Sequence, residues 1–466
     1  MITETDYLIL GAGVTGLAAA NVLGPRAKVL EREARPGGLV RTECFNGYWF
    51  DHVLHILYFA DCVTERRIQD MLGETLAPCV PIAFVETRSG TTRYPFQMHL
   101  EGLDEDTVIR CLHDLARVAF GPAPGEPRDF QEMLLHAFGR EMCEVFMFPY
   151  NRKVWRRPLT ELADSDFTWN IPSPDFDHVL RGALGKNQAY RPYNACAWYP
   201  CPPAAAPWRG MEVLVRALAS QVVDLRLEHC IEDVDLERRV VTALHAGRTK
   251  QYRFRRGCLS TLPLSTMIEI CRPAPHALRQ ACRRLKRNRV VSVMLSIAGP
   301  RPTGRGHWRY YADESLIFTR LIHTHEFDPA MAPADGWGLM AEVMQRSEDP
   351  EECPETIIRK TVADVHKAGA LSPHSQIIDA HLRVTDPAYV VFSVDSLPII
   401  ELARRYLEVN GIVPLGRYGR WEHSSMAQGM SDGFGWADRV LPTTRVGVPR
   451  PRQAVVRSRT AVNQER

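Results

Sequence analysis

Gly11, Gly13 and Gly16 stand in a G-x-G-x-x-G pattern, after the apolar run "DYLIL" and opening the stretch "GAGVTGLAAANVL". Glu31 closes the next apolar run, "AKVLE", fifteen residues after Gly16. Each position has a chemical reason. Gly11 permits a tight turn, Gly13 lets a pyrophosphate approach the backbone, and Gly16 allows close packing of helix on strand. The helix N-terminus offers free N–H groups and the positive end of its dipole to phosphate. A carboxylate at the position of Glu31 accepts hydrogen bonds from a ribose diol. Strand, turn, helix, strand and acid together predict dinucleotide binding, and these residues alone leave FAD and NAD both open. A second cluster, "PYNRKVW", sets Tyr150 and Trp155 around Arg152 and Lys153. It reads either as a solvated loop with a buried Trp or as the wall of a site for an anionic ring-shaped ligand.

The elements that must position these groups are partly legible. "DYLIL" and "AKVLE" predict two short strands with a helix between them. "DEDTVIRCLHDLARVAF" predicts a helix capped by Asp104, with Val108, Leu112, Leu115 and Ala119 on one face. "DFQEMLLHAFGREMCEVFMF" predicts another, placing Met133, Ala137 and Phe138 together. Strand-like segments return at "VVDLRLEHCIEDVDLERRVVTAL", "YRFRRGCLSTL" and "RVVSVMLSIAG". The basic run "RRLKRNR", Arg283 to Arg289, reads as a charged helix face. The stretch from 441 to 466 is rich in Arg, lacks apolar periodicity and reads as a flexible basic tail.

Composition narrows the classes. The chain has 466 residues, enough for two or more structural units. A net charge of +2 argues against a dedicated nucleic-acid binder, so attraction for anions must be local. No apolar run approaches the roughly 20 residues that span a bilayer. The opening "MITETDYLIL" has no basic region before its apolar residues, so no signal peptide is expected and the expected location is cytoplasmic. Twelve cysteines lie scattered without zinc spacing, which predicts reduced thiols and no metal.

Beyond the phosphate loop, "EREARPGGLVRTE" brings Gly37, Gly38, Arg41 and Thr42. Further segments follow in order: "FDHVLHILYF", "RYPFQMHL", "PYNRKVW", "STLPL", "IFTRLI", "DPAYVVF" and "GRYGRW". Together, over about residues 8 to 440, they resemble the UDP-galactopyranose mutase branch of the FAD enzymes that include amine oxidases and protoporphyrinogen oxidase. The resemblance implies that FAD is the cofactor, with Gly38 and Arg41 near it and Gly416 closing its site. It implies that His55 lies beside the flavin, and that Tyr150, Arg152 and Trp155 lie at a sugar-nucleotide site. Arg320 and Tyr389 match diphosphate-contacting positions, Arg417 is the matching cation of the segment that closes the flavin site, and His55, Arg320 and Arg417 are the expected catalytic residues. His423 and Ser425 stand where the mutases carry a Tyr and then an Asp near the substrate. In that family reduced flavin performs the chemistry, so NAD(P)H is an implied external reductant. The protein holds the departing diphosphate with Arg and Tyr donors and seats the sugar against aromatic walls.

Two stretches depart from that pattern. "NIPSP", Asn170 to Pro174, replaces a run ending in a diphosphate-clamping Arg, and "YPCPPAAAPWRGM" lacks the paired glycines usual there. The substrate end is therefore remodelled. The expected fold is α/β: a Rossmann-like FAD-binding domain with a mostly helical substrate lobe and a second mixed sheet. The expected boundaries are 1–75 with 205–265 and 400–440 for the discontinuous FAD domain, 76–204 for the helical lobe and 266–399 for the second sheet. The expected function is a flavin-dependent pyranose–furanose mutase of a nucleotide sugar, with oligomer formation open. One alternative is an FAD oxidoreductase of the amine oxidase type. Another is a nucleotide-sugar-binding protein without flavin chemistry, which would stay colourless with added FAD.

Overall fold

Ile2–Leu10 forms the first strand, exposed over its first three residues and buried from Tyr7 onward. Its apolar half is sandwiched because it pairs in parallel on both sides, with Ala27–Leu30 and with Arg248–Ser260. The computed structural model describes residues 2–164, 175–186 and 196–441. The strand belongs to an eight-stranded mixed sheet whose path runs Cys271–Arg272, Cys230–Asp235, Val240–His245, Arg248–Ser260, Ile2–Leu10, Ala27–Leu30 and Leu225–Arg226. Ile412–Pro414 also pairs with Arg248–Ser260. Three distant parts of the chain thus meet in one sheet. The helix Val14–Leu23 lies on it, and the late helix Met426–Val440 packs against that helix. Their approach depends on Gly433, where a Cβ would stand 2.3 Å from the Thr15 carbonyl oxygen.

A seven-stranded sheet faces the first. Its order is Gln376–Val391, Lys286–Ala298, Gly336–Arg346, Arg320–His323, Trp308–Tyr311, Ala83–Thr87 and Gly90–Arg93. Strand pairing crosses the expected divisions at two points. Ala83–Thr87 and Gly90–Arg93 join this sheet, and Cys271–Arg272 joins the first. Both are pairings between distant segments, which composition does not reveal.

Helices fill most of 105–155. Glu105–Phe120 begins at Asp104, whose side chain accepts from the Thr107 N–H at 2.9 Å, the cap the sequence predicts. Its buried residues are Thr107, Cys111 and Leu115; Val108 and Leu112 are half-buried and Ala119 is exposed. The face is rotated from the expected one because it packs on two helices, Phe130–Met142 and Phe176–Ala183. The helix Phe130–Met142 buries Phe130, Leu134 and Phe138, with Met133 and Ala137 at its edge. It breaks at Gly139 (φ 73°) and continues through a π turn, Cys143–Met147, into the helix Phe148–Trp155. "PYNRKVW" is therefore helical, with Pro149 following directly on the π turn.

The basic run Arg283–Arg289 is not a helix face. The helix His276–Cys282 ends before it and Lys286 opens a strand. The alternating Val-rich stretch that follows favours the extended form. Arg283 pairs with Glu269, and Arg289 is buried on Gln345 and the Asp349 and Pro350 carbonyls. The segments Asn170–Pro174 and 442–466 lie outside the described residues. All twelve cysteines are free thiols, and burial pushes several up, Cys111 to about 12. Among the described residues no helix is long and apolar enough to cross a membrane, and no group of His, Cys, Asp and Glu is placed to hold a metal.

A buried histidine cluster lies against the second sheet. His323 stacks on Trp337 at 6.0 Å between ring centres, His325 meets the same indole at 5.8 Å, and His307 packs edge-on to Phe327. Burial lowers His323 to about 3, and His307 and His325 to about 4. The unfolded chain, titrating near 6.5, binds more protons than the native state in between. The stability these groups confer is thus present above about pH 6.5 and lost as pH falls toward 4. Thermal melts between pH 7 and 5 should show a steep fall in Tm that is shallower in His323→Phe. An unchanged slope in that variant assigns the acid loss to other groups.

Candidate active site

The glycine turn opens a cavity of about 790 Å³ that runs from the first sheet to the second. Gly11 has φ +100°, and a Cβ there would meet Thr261 Oγ1 at 2.2 Å. A Cβ on Gly16 would stand 2.1 Å from the Gly11 carbonyl oxygen, so helix and strand touch through glycine alone. Gly13 is the N-cap of the helix Val14–Leu23 and no side chain caps it, leaving the first-turn N–H groups for a ligand. Glu31 lines the cavity, held by the Ala12 N–H (2.7 Å) on one carboxylate oxygen and the Glu33 N–H (2.9 Å) on the other. Its remaining lone pairs are free for hydroxyl donors. Gly37 donates to the Ala12 carbonyl at 2.8 Å, bringing Gly38 against Gly13. Donors, carboxylate and glycine cradle fit an adenine dinucleotide. Arg41 is not on the cavity wall: its guanidinium donates to the Pro36 and Arg35 carbonyls, bracing the Gly37–Gly38 turn from behind.

The far end is built on strand register. Tyr310 faces Arg320 across one strand pair and Arg320 faces Glu342 across the next, so three strands present one row. Arg320 donates from Nε and Nη2 to Glu342 Oε2, at 2.8 and 2.5 Å, and its guanidinium lies 5.7 Å from the Tyr310 ring centre. Glu342 also accepts the Leu54 N–H on its other oxygen at 3.2 Å. Ser292 Oγ donates to the His52 carbonyl at 2.6 Å. These two bonds fasten the 52–56 loop, and with it His55, to the second sheet. Burial first, then the charge of Arg417, pushes His55 down to about 3, so its imidazole is neutral.

Arg417 sits on the short turn Gly416–Gly419, made possible by φ +73° at Gly416. Its guanidinium donates to the Ala388 and Ser424 carbonyls at 3.2 Å each and to His423 Nδ1 at 3.4 Å. It lies 5.1 Å from the Tyr389 ring centre. Among the described residues it has no carboxylate within ion-pair distance, so it stands as an uncompensated cation on the wall. Burial and Arg417 hold His423 well below the usual imidazole range. Ser425 caps the helix Met426–Val440 by accepting the Gln428 N–H.

Helical periodicity divides "PYNRKVW". Tyr150, Asn151 and Val154 face the cavity, and Tyr150 stacks on Phe146 at 5.0 Å and meets Tyr310 edge-on at 5.5 Å. Burial pushes the Tyr150 phenol well above its usual range. Arg152 points elsewhere, to Glu314 at 3.1 Å on the exposed side. Trp155 lies behind the wall, edge-on to Tyr389 and His423. Of the residues expected at the site, the structure thus brings Tyr150, Arg320, Tyr389, Arg417, His423 and His55 to one cavity and leaves Arg152 and Trp155 off it. Glu342 and Tyr310 line it as well and were missed. Glu342 had one sequence signal, a lone acid inside the apolar run "GLMAEVM".

Residues 14–381 match the family described as flavin containing amine oxidoreductase. Over 143 residues the chain is 27% identical to human all-trans-retinol 13,14-reductase, covering 26% of this chain and 23% of the reductase. The match thus spans about a quarter of that relative's length. Among solved structures, reduced UDP-galactopyranose mutase superposes with a TM-score of 0.85 at 20% identity, over 94% of this chain and 95% of that one. Putrescine oxidase bound to putrescine gives 0.59 at 16% identity, over 94% and 99%.

Proposed function

The chain belongs to the flavin containing amine oxidoreductase family, and from that premise we propose that it is an FAD-dependent pyranose–furanose mutase acting on a nucleoside diphosphate hexose. The observation that carries this reading is Arg417, a cavity cation with no carboxylate partner among the described residues, beside Arg320 and a wall of tyrosines. Such a wall suits a ligand with a ring and an anionic leaving group.

FAD would be held by the glycine turn, the uncapped helix end and Glu31. When bound, the flavin supplies a nucleophile if reduced and a hydride acceptor if oxidised. The chain's own residues do the rest. Arg417 offers guanidinium N–H donors to a departing diphosphate, and Arg320 adds a second positive centre whose charge Glu342 partly offsets. Tyr389 and Tyr310 add phenol donors beside them. Tyr150 and Phe146 form a flat apolar face that excludes water and seats a planar group. His55, neutral and fixed by its tethered loop, can accept or donate one hydrogen bond without adding a further positive charge to those of Arg417 and Arg320.

One observation favours a second reading, oxidation of a C–H bond with FAD as acceptor. Where the mutases have Tyr and Asp, His423 contacts Arg417 and Ser425 caps a helix, so neither supplies a carboxylate.

One experiment separates the readings. Protein reduced with dithionite or NAD(P)H is incubated with UDP-, GDP- and dTDP-hexopyranoses. A new isomer of unchanged mass is the result expected. Turnover that requires an oxidant and removes about two hydrogens from the product assigns the chain to its oxidoreductase relatives instead. Arg417→Ala should weaken UDP binding, followed by fluorescence of the bound flavin, by roughly 1.5–3 kcal/mol. Unchanged UDP affinity with a lowered Tm assigns Arg417 to structure alone.

A further inference from the structure

One cation of "PYNRKVW" has neither the cavity nor an acid to explain it. Lys153 is 5% exposed, and its Nζ donates to three backbone carbonyls: Phe318 at 2.6 Å, Asp313 at 2.8 Å and Tyr311 at 3.0 Å. Asp313, Asp364 and Glu314 act on it only through space. An ammonium has three N–H donors, and all three are used, so none is left for a ligand. Its partners bracket the loop that joins Trp308–Tyr311 to Arg320–His323. Tyr310 comes one residue before the first of them and Arg320 two residues after the last. On the helical side, Tyr150 stands one turn before Lys153. A single buried side chain therefore spans from the element that carries Tyr150 to the loop whose two ends carry Tyr310 and Arg320.

We propose that Lys153 is a positioning residue of the cavity, tying the 311–318 loop to the helix Phe148–Trp155 and so setting the gap between Tyr150 and the Tyr310–Arg320 pair. That the gap receives a nucleoside diphosphate rests on the function proposed above. Arg157 provides a matched contrast. It also docks this helix, donating to the Trp155 carbonyl at 3.0 Å and to Asn288 and pairing with Glu348, but none of these partners lies on the 311–318 loop.

The test uses full-length, flavin-loaded Lys153→Met and Arg157→Met. Hydrogen exchange over 309–320 reads the tie directly. UDP titration against bound-flavin fluorescence reads its consequence. Lys153→Met should speed exchange in 309–320 and weaken UDP, each by at least about tenfold, the fold-change that one of its three lost hydrogen bonds would produce. Arg157→Met should lower Tm without changing either. If Lys153→Met does not fold, Lys153→Gln, whose amide restores part of the donor set, should show both effects in smaller measure. Wild-type exchange over 309–320 in the Lys153 variant overturns the proposal. So does an equal loss of UDP affinity in both variants. Should the wild-type protein fail to bind UDP, the nucleotide-sugar reading falls, and the exchange arm still decides whether Lys153 makes the tie.

Discussion

Gly13→Ala should purify without flavin and fold with the stability of the flavin-free wild-type chain. Nothing lies within 4 Å of a Cβ built on Gly13, and its φ of −71° suits any residue. The protein itself therefore does not notice the methyl group. The ligand does, because that methyl would occupy the space through which a pyrophosphate reaches the uncapped helix end. Gly16→Ala should also give colourless protein, for a different reason. Its Cβ would stand 2.1 Å from a backbone oxygen, which cannot step aside, so the helix Val14–Leu23 must lift off the first strand. Overpacking of this kind costs about 1–3 kcal/mol. Visible absorbance per chain and Tm, measured together, separate the two cases. A Gly13→Ala protein that keeps its flavin at wild-type occupancy removes the pyrophosphate from this turn. One that loses flavin and melts below the flavin-free wild-type chain returns Gly13 to a packing role.

Arg320→Ala should cost about 3–5 kcal/mol of stability, the largest loss expected of any change at the site. Glu342 is 3% exposed, and without the guanidinium it would keep only the Leu54 N–H. A buried carboxylate so stranded must either take up a proton or draw in water. The loop carrying His55 hangs from the same carboxylate, so the damage spreads to that part of the cavity wall. Arg320→Met combined with Glu342→Leu removes both charges and should recover most of the stability while leaving the enzyme inactive. Denaturant unfolding of the two proteins and the single Arg320 variant checks this. Wild-type stability in Arg320→Ala would mean that the pair contributes little, and the row of three strands would need another explanation.

The sequence made the dinucleotide end far more legible than the substrate end. Gly11, Gly13, Gly16 and Glu31 act within one continuous stretch, where spacing is geometry: a turn of given length and a helix of 3.6-residue period fix where each atom lies. Arg320, Tyr310 and Glu342 meet only through the register of three strands, and register depends on long-range pairing. The helix of "PYNRKVW" shows the intermediate case. Its aromatic and cationic residues are visible in the sequence, but which of them face inward depends on where the preceding π turn rotates the helix. Tyr150 turned in and Arg152 turned out, although residue type made both good candidates. In Arg283–Arg289 charge density suggests a solvated helix, whereas the Val-rich stretch after it sets the backbone as a strand from Lys286.

The packing of Gly433 against Thr15 also has a consequence in time. The glycine turn and Glu31 are translated long before the helix that packs on the turn's own helix, which ends at Val440. At about 5–20 residues per second, the interval between the two is on the order of twenty to eighty seconds. Until its end one side of the helix Val14–Leu23 lacks its partner, and for most of it Gly416, which also abuts Thr15, has yet to be synthesised. The nascent chain thus carries a complete dinucleotide signature that cannot yet close on a dinucleotide. Flavin capture is therefore expected at the end of synthesis, and a chain stopped short of residue 416 should leave the ribosome with its signature intact and its cofactor absent.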